Sequence, residues 1–343
     1  MTPDQQSLVE LADQVLRGRT SNDQLATVEG SATRVDDRLW AELADAGLVG
    51  IAVPEEHGGA GLGLTEVCLL LEAQGRWLAP VPLWETAVAA LAVARFGTEE
   101  QRSRLLPGVA AGTTRLSVAV DLAGGTPGVS AAGGRLSGTA TLVPQAHVAD
   151  ALVVVAGESA YLVETAGLPR VDVVTTSHAL ASDVVLDGAA GESLGDAGTA
   201  GWLADRLRVG LAAVVLGSAD AGVREAASYL SGREQFGRPL ATFQAVSQQL
   251  GDAYCDVQAM RATLWQAVWA LEQGDDARRS VDVATWWATD AGGRVQHVVQ
   301  HLHGGMGADT TYPVHRRLLW TLRASAQLGG ASRQLARLGP ALV

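Results

Sequence analysis

The spacing of hydrophobic and polar positions divides this chain into three zones. In residues 1–112 apolar residues recur near helical spacing, as at Leu39, Leu43 and Leu48. Residues 113–197 contain short β-rich runs separated by Gly, Pro, Ser and Asp, which predicts a small antiparallel β-domain. Helical spacing returns in residues 198–343. The pattern therefore predicts an α+β protein with an N-terminal helical domain, a small middle β-domain and a C-terminal helical bundle.

Local signals add detail to this outline. Thr98-Glu-Glu-Gln101 has the spacing of a capping box, which predicts a helix that begins after Thr98. Gly75 interrupts the helical pattern around Leu70 and is expected to end that helix. The predicted strands cover residues 115–120, 135–143, 151–156, 160–164 and 182–186. One continuous helical stripe is predicted from Phe243, Val246, Leu250, Tyr254, Val257 and Met260.

Composition excludes several classes of protein. Hydrophobic residues make up 48% of the 343 residues and charged residues 18%, which suits a globular chain with a large core. The net charge is −12 and no basic run offsets it, so a nucleic-acid partner is not expected. No apolar run reaches the ~18 residues of a membrane span. The polar N-terminus is unlike a signal peptide.

The two cysteines, Cys68 and Cys255, lie in apolar helical patterns and are expected to be buried free thiols. The chain shows no metal-ligand spacing and no disulfide framework, so no metal site is predicted. This cysteine usage suits the reducing cytosol, and we expect a cytoplasmic protein.

An interruption between two long helical segments has the most distinctive chemistry. It reads Arg233-Glu-Gln-Phe236-Gly237-Arg-Pro-Leu-Ala-Thr-Phe243-Gln244. Gly237 and Pro239 mark a turn, which would hold a guanidinium, an aromatic ring and an amide for a ligand or a neighbouring chain. A solvated arginine on an ordinary corner is the simpler interpretation of this stretch alone.

Three ordered segments together resemble the acyl-CoA dehydrogenase family. The arginine turn has the form R-x-x-F-G-x-x-L-x-x-F-Q, and it is followed by His301-Leu-His-Gly304-Gly305-Met-Gly307. Upstream, Pro54-Glu-Glu-His-Gly58-Gly59-Ala-Gly61 is similar to the family's PEEYGGxG segment. The resemblance covers most of the chain and implies a C-terminal four-helix bundle. It also implies FAD as cofactor, an acyl-CoA substrate and an electron-transfer flavoprotein as electron acceptor.

In the family two subunits share each FAD, so the resemblance can be read in two halves. The donor half, which holds the nucleotide end, is largely present. The resemblance implies that Arg233 reaches the pyrophosphate and that Phe236 and Gln244 lie on the adenine side. It places Gly304 and Gly305 against the pyrophosphate, where close approach excludes a side chain. His301 falls where the family usually has glutamine and can still donate a hydrogen bond. These six residues are the predicted cofactor contacts.

The acceptor half, which lies beside the flavin ring, departs from the family. The family's W-I-T/S strand aligns with Leu142-Val143-Pro144, where proline has no N–H to donate. The family's acidic Gly-Ser-Asp loop aligns loosely with residues 121–126. Gly330 and Ser332 replace the threonine and glutamine of the E-G-T-x-Q motif.

The catalytic base is also missing from the positions where the family carries it. The reaction removes an α proton from the thioester, which requires a positioned carboxylate. The glutamate of medium-chain-like members aligns with Leu328, and that of isovaleryl-like members aligns with Leu207. Val214 occupies a third possible position. No catalytic residue is therefore predicted.

Three hypotheses remain open. In the first, the chain resembles the short, catalytically degenerate subunits of heteromeric actinobacterial acyl-CoA dehydrogenases that act on bulky, steroid-side-chain-type CoA esters. It would then complete the FAD site of a homologous partner. In the second, it is a self-sufficient dehydrogenase whose base has moved to Asp205, Asp220 or Glu225. In the third, it is a scaffold of the same fold that binds neither FAD nor CoA.

Overall fold

A computed structural model of the chain describes residues 1–125 and 128–339. The N-terminal region is helical, as predicted. Its helices are α1 Pro3–Arg17, α2 Asn22–Glu29, α3 Asp37–Asp45, α4 Leu64–Trp77, α5 Leu83–Phe96 and α6 Glu99–Ala110. The capping box before α6 is confirmed, because Thr98 and Gln101 exchange the two expected hydrogen bonds.

The prediction that a helix ends at Gly75 is wrong, because α4 continues to Trp77. Gly75 instead permits a close crossing with α7, which spans Thr199–Gly232. A Cβ on Gly75 would lie 1.8 Å from the Val214 carbonyl oxygen. A Cβ on Gly217 of α7 would lie 1.8 Å from the Glu72 carbonyl oxygen. The two backbones therefore touch where each helix carries glycine.

The middle region contains two packed sheets. The first has the order β1-β4-β5-β9, and the second has the order β2-β3-β7-β6 with β8 beside β3. The strands are β1 Leu116–Ala119, β2 Val129–Ala132, β3 Arg135–Pro144, β4 Ala151–Ala156, β5 Ser159–Glu164, β6 Arg170–Val174, β7 Leu180–Val185, β8 Ala189–Ala190 and β9 Glu192–Leu194. Side chains such as Leu136, Leu152 and Leu186 fill the space between the sheets.

The β-domain differs from the prediction in two respects. Strands β1 and β4 pair in parallel, with Leu116 opposite Ala151, so the domain is not purely antiparallel. The sequence pattern also missed the four strands β2, β6, β8 and β9. Every residue of β6 is exposed, and it lies at the edge of its sheet, so burial imposes no alternation on its sequence.

The C-terminal region is built on the long helices α7 Thr199–Gly232, α8 Gln244–Gln273, α9 Arg278–Leu302 and α11 Val314–Gln327, as the four-helix prediction requires. The hairpin β10 Glu234–Gln235 and β11 Arg238–Pro239 joins α7 to α8. The short helix α10 Gly305–Ala308 follows α9, and α12 Gly330–Leu338 follows α11. The exact domain boundaries, placed after residues 112 and 197 between the three regions, stay a prediction.

The predicted buried stripe of α8 is only partly correct. Val257 and Met260 are buried, but Tyr254 is exposed, since it borders an open apolar groove between α7 and α8. Cys68 is buried as expected, whereas Cys255 is exposed, so that prediction is wrong. Cys255 directly follows Tyr254 and lies off the face that carries Val257.

Across residues 1–125 and 128–339, no helix combines the length and apolarity needed to cross a membrane.

Candidate functional site: a nucleotide-end turn and a small cavity

The arginine turn projects from the end of α7. The Arg233 N–H donates to the Tyr229 carbonyl oxygen at 2.9 Å, and the Arg233 carbonyl accepts from Leu240 N–H at 2.8 Å. The backbone of the turn is thus fixed at both ends. The Arg233 guanidinium is exposed and forms no ion pair with any described residue, so it is free to bind an anion.

Phe236 occupies the tip of this turn. Its side chain is 91% exposed, and its φ of 53° lies in the left-handed region that non-glycine residues rarely adopt. The ring stands edge-on to Phe243, with 6.1 Å between centroids. Gln244 begins α8 directly after Phe243 and is exposed. An exposed aromatic on a strained backbone is a feature of binding sites more than of ordinary surface.

The second predicted donor segment lies at the end of α9. Gly304 has φ 58° and ψ −135°, which an L-residue avoids, and no described atom lies within 4 Å of a Cβ built on Gly304 or Gly305. Both glycines and His301 are exposed. A ligand can therefore approach this backbone closely, as the family resemblance implies for a pyrophosphate.

The fold connects these two segments through aromatic side chains. Tyr229, one turn before Arg233, stacks on His303, which directly precedes Gly304. The ring centroids are 4.6 Å apart with an interplanar angle of 23°. The stack thus brings the arginine turn, with its free guanidinium, exposed aromatic ring and amide, close to the open glycine backbone, and we call these two segments the donor surface. This surface fits the nucleotide end of FAD.

The residues that would face the flavin ring do not fit it. Leu142 lies at an irregularity in β3 between Ala140 and Val143, and its own N–H is already donated to the Asp183 carboxylate at 2.8 Å. Pro144 has no N–H, and its carbonyl accepts from the Ser117 hydroxyl. The strand therefore offers neither an aromatic wall nor a free donor at these positions.

The acidic loop is folded on itself. The Asp121 carboxylate accepts the N–H groups of Gly124 and Gly125, and the Gly124 carbonyl accepts from Arg333 of α12 at 2.7 Å. The remaining residue of the predicted loop, Thr126, lies outside the described residues. Gly330 and Ser332 belong to α12, the helix that carries Arg333. Gly330 is its first residue, and Ser332 is exposed.

Leucine occupies both family positions for the base. Leu207 and Leu328 are fully buried, and neither carries an ionisable group. The carbonyl of Leu207 accepts a hydrogen bond of 3.1 Å from the Trp84 indole. Val214, at the third position, is also buried. No carboxylate thus stands at the positions where the family carries one.

The three alternative acids are engaged in ion pairs. Asp220 is buried and bonds Arg224, with Arg261 also within 3.4 Å. Glu225 pairs with Arg317. Asp205 bonds Arg208 at 3.1 Å, and burial raises the pKa of Asp205 while Arg208 opposes that shift.

A cavity where all three regions meet contains a different acid, which sequence reasoning missed. Its volume is about 30 Å³, enough for about two water molecules and far below the ~300 Å³ of a small-ligand pocket. Helices α2, α4, α5, α7 and α11 and the β-domain line it, with Trp84, Glu85, Gln145, His178, Trp320 and Arg323 among its residues. None of Asp205, Asp220 and Glu225 lines this cavity.

Glu85 is the buried carboxyl group of this cavity, with 2% of its surface exposed. Burial raises the pKa of Glu85 to about 7, although the charge of Arg323 opposes that shift. Burial likewise lowers the pKa of Arg323. In the sequence, the one sign of this buried acid is a glutamate among the apolar residues of α5. The pattern alone does not distinguish such a glutamate from a charged residue on the protein surface.

The histidine and arginine after Tyr312 have structural partners. His315 Nδ1 lies 2.7 Å from the Tyr312 carbonyl oxygen. Arg316 is buried and donates to Glu29 at 2.7 and 2.9 Å, which ties α11 to α2. Neither residue is part of the donor surface described above.

Comparisons with known proteins agree with the fold. The chain matches the acyl-CoA dehydrogenase N-terminal domain over residues 2–113 and the acyl-CoA dehydrogenase C-terminal domain over residues 198–339. Acyl-CoA dehydrogenase FadE27 of Mycobacterium tuberculosis is 39% identical, with 97% of this chain and 95% of the relative covered.

Two solved structures are similar over nearly the whole chain. A variant of the steroid ACAD Tcur3481–Tcur3483 has a TM-score of 0.94 and 47% identity, with 99% of this chain and 97% of that chain covered. The ChsE4–ChsE5 complex from Mycobacterium tuberculosis has a TM-score of 0.95 and 37% identity, with 100% and 98% covered. This chain belongs to the acyl-CoA dehydrogenase family, whose members are oxidoreductases that use FAD.

Proposed function

We propose that this chain is the base-lacking subunit of a heteromeric acyl-CoA dehydrogenase and that it completes the FAD site of a homologous partner. Bound FAD supplies the hydride acceptor for α,β-dehydrogenation of an acyl-CoA thioester. In this proposal the chain contributes Arg233, Phe236, Gln244, Gly304 and Gly305 to the nucleotide end. His301 lies beside them and can donate a hydrogen bond. The partner contributes the carboxylate that takes the α proton.

The observation that carries the proposal is the contrast between Arg233 and Leu328. The arginine is exposed and unpaired among the described residues, in a turn whose backbone is fixed, whereas the family's base position is a fully buried leucine. Loss of a general base lowers a rate by about 10²–10⁴. A chain that retains the nucleotide contacts without the base is suited to serve another subunit's chemistry.

The small volume of the cavity that contains Glu85 supports the same assignment of roles to the two subunits. Its volume of about 30 Å³ leaves no room for a bulky acyl group. The proposal therefore assigns the acyl-binding tunnel to the partner. Because one neighbour is described as a steroid ACAD, we propose a bulky, steroid-type CoA ester as the substrate class. An electron-transfer flavoprotein is the acceptor that the family resemblance implies.

The exposed apolar surface around the donor turn supports a protein partner. An apolar groove of about 320 Å³ lies between α7 and α8 and includes Leu230, Val246 and Tyr254. Phe236, at the tip of the turn, is also exposed. Large exposed apolar side chains next to a binding surface are typical of a subunit interface. The ChsE4–ChsE5 neighbour is described as a complex, which is consistent with a homologous partner.

Flavin retention by the chain alone and in complex tests this function. We expect the purified chain to hold little FAD, and co-expression with a homologous acyl-CoA dehydrogenase subunit to give a yellow, active complex. Arg233→Ala should remove most FAD from that complex, while Arg279→Ala, at another exposed arginine, should not. Unchanged FAD content in the Arg233→Ala complex would instead favour a scaffold role.

Glu85 gives the self-sufficient alternative one specific supporting observation. A carboxyl group with a pKa of about 7 inside a cavity has the properties of a general base near neutral pH. If the lone chain oxidises butyryl-CoA, Glu85→Gln should abolish that activity. Absence of any turnover by the lone wild-type chain with added FAD would remove this alternative.

A further inference from the structure

We infer that His303 is a positioning residue that sets the relative placement of the two nucleotide-binding segments, the Arg233 turn and the Gly304–Gly305 backbone. This inference rests on the proposed function, because it concerns how the donor surface is held for FAD. It assigns His303 no contact with the cofactor and no part in proton transfer.

The His303 ring is held between two aromatic rings that belong to different elements. It stacks on Tyr229 of α7 and is tilted against Tyr312, with 5.5 Å between those centroids. Tyr229 and Tyr312 are also 6.4 Å apart, so the three rings form one cluster. Only 2% of His303 is exposed, so solvent does not compete for these contacts.

A hydrogen bond fixes the orientation of this ring. Nδ1 of His303 lies 2.7 Å from the Val299 carbonyl oxygen in the preceding turn of α9. A carbonyl can only accept, so Nδ1 carries a proton. Nε2 is buried and has no hydrogen-bond partner among the described residues. The ring therefore acts through its face and through Nδ1–H, and not as a proton donor to a ligand.

Each end of the cluster is joined directly to one donor segment. The Tyr229 carbonyl accepts the Arg233 N–H, which fixes where the arginine turn leaves α7. His303 is bonded covalently to Gly304, whose N–H donates to the His301 carbonyl at 2.9 Å. A shift of the His303 ring would consequently move the glycine backbone relative to Arg233. FAD must contact both segments at once, so its affinity depends on that spacing.

Two variants of His303 separate the contribution of its aromatic ring from that of its Nδ1–H hydrogen bond. His303→Phe keeps a flat ring for Tyr229 and Tyr312 but loses the Nδ1–H bond. His303→Asn keeps a donor for the Val299 carbonyl but loses the ring. His303→Ala loses both, and Tyr229→Leu removes the stack from the side of α7. Phe96→Ala is a matched control, because it removes another aromatic pair, with Trp202 at 5.1 Å, away from the donor surface.

The test measures the FAD dissociation constant of the co-expressed complex by flavin fluorescence, together with its thermal midpoint and its turnover at saturating FAD. We expect His303→Ala and Tyr229→Leu to raise Kd for FAD about tenfold, and His303→Phe to raise it about threefold. The turnover of each of these variants at saturating FAD should equal the wild-type value. The His303→Ala/Tyr229→Leu double variant should bind FAD no more weakly than either single variant.

Several outcomes would overturn the inference. An unchanged Kd in His303→Phe, His303→Asn and Tyr229→Leu would show that the cluster does not position the donor surface. An equal rise of Kd in Phe96→Ala would show a general loss of stability. Should His303→Ala not fold, the phenylalanine and Tyr229 variants decide the question. Arg233→Ala in the same complex distinguishes failure of this inference from failure of the proposed function. If only the inference is wrong, Arg233→Ala still raises the Kd for FAD; if the proposed function is wrong, Arg233→Ala leaves that Kd unchanged.

Discussion

The Trp84 indole N–H donates a hydrogen bond of 3.1 Å to the carbonyl oxygen of Leu207, the position that the family resemblance aligns with the glutamate of isovaleryl-like members. Trp84 also lines the small cavity that contains Glu85. The same side chain therefore occupies cavity space and adds a hydrogen bond to the backbone carbonyl of Leu207. Insertion of a carboxylate at this position would not by itself rebuild an active site.

We accordingly expect Leu207→Glu and Leu328→Glu to give no dehydrogenase activity in the lone chain. Each substitution places a carboxyl group at a fully buried position without a designed partner, which should lower the free energy of unfolding by several kcal/mol, roughly 2–5. Urea denaturation and dye reduction with butyryl-CoA measure the two effects. Leu335→Glu is the control, because Leu335 is exposed and should change stability little. Dehydrogenase activity in either buried variant would refute this expectation.

Glu85 should make the stability of the chain depend on pH. Its pKa of about 7 in the fold exceeds the ordinary 4.5, so the folded chain retains a proton that the unfolded chain has lost between these values. The stability from the neutral carboxyl is fully present below pH 4.5 and is lost as pH rises through about 7. The loss is on the order of 3 kcal/mol.

Glu85→Gln should remove this pH dependence, because the amide does not ionise. Urea midpoints at pH 4.5, 6 and 8 should converge in the variant, and its stability relative to wild type should increase with pH. Glu56→Gln, at an exposed glutamate, is the matched control and should keep the wild-type profile. A Glu85→Gln profile parallel to that of wild type would show that Glu85 ionises normally.

Gly75→Ala should separate α4 from α7. The new Cβ would lie 1.8 Å from the Val214 carbonyl oxygen, so the helices must move apart, at a cost of about 3 kcal/mol or more. Gly251→Ala in α8 has no described atom within 4 Å of its Cβ and should stabilise the chain by about 0.5–1 kcal/mol. Thermal unfolding compares the two. Similar midpoints for both variants would disprove the close crossing.

Periodicity predicted the order of helices and strands because most elements bury one face, and the capping box at Thr98 predicted the start of α6. The parallel pairing of β1 with β4 was not predictable in this way, since strand direction depends on the chain path and not on local pattern. Gly75 was misinterpreted for a related reason. A glycine that breaks a helix and a glycine that admits a neighbouring backbone have the same appearance in a single sequence.

In the candidate site too, features marked by local sequence were predictable and features that depend on packing were not. The donor segments were found because glycine, proline and an aromatic residue mark them locally, although their assignment to FAD came from resemblance to a family. Glu85, Trp84 and Arg323 were missed because a cavity is a property of packing between helices. The role of His303 was equally hidden, since the Tyr229 stack joins residues that are distant in sequence.

The ratio of FAD to polypeptide in the purified complex tests the division between donor and acceptor halves most directly. Each FAD requires one acceptor half and one donor half. A complex of equal numbers of this chain and a homologous partner should hold one FAD per pair of chains, and this chain alone should hold almost none. One FAD per polypeptide, or a stable FAD complex of this chain alone, would contradict that division.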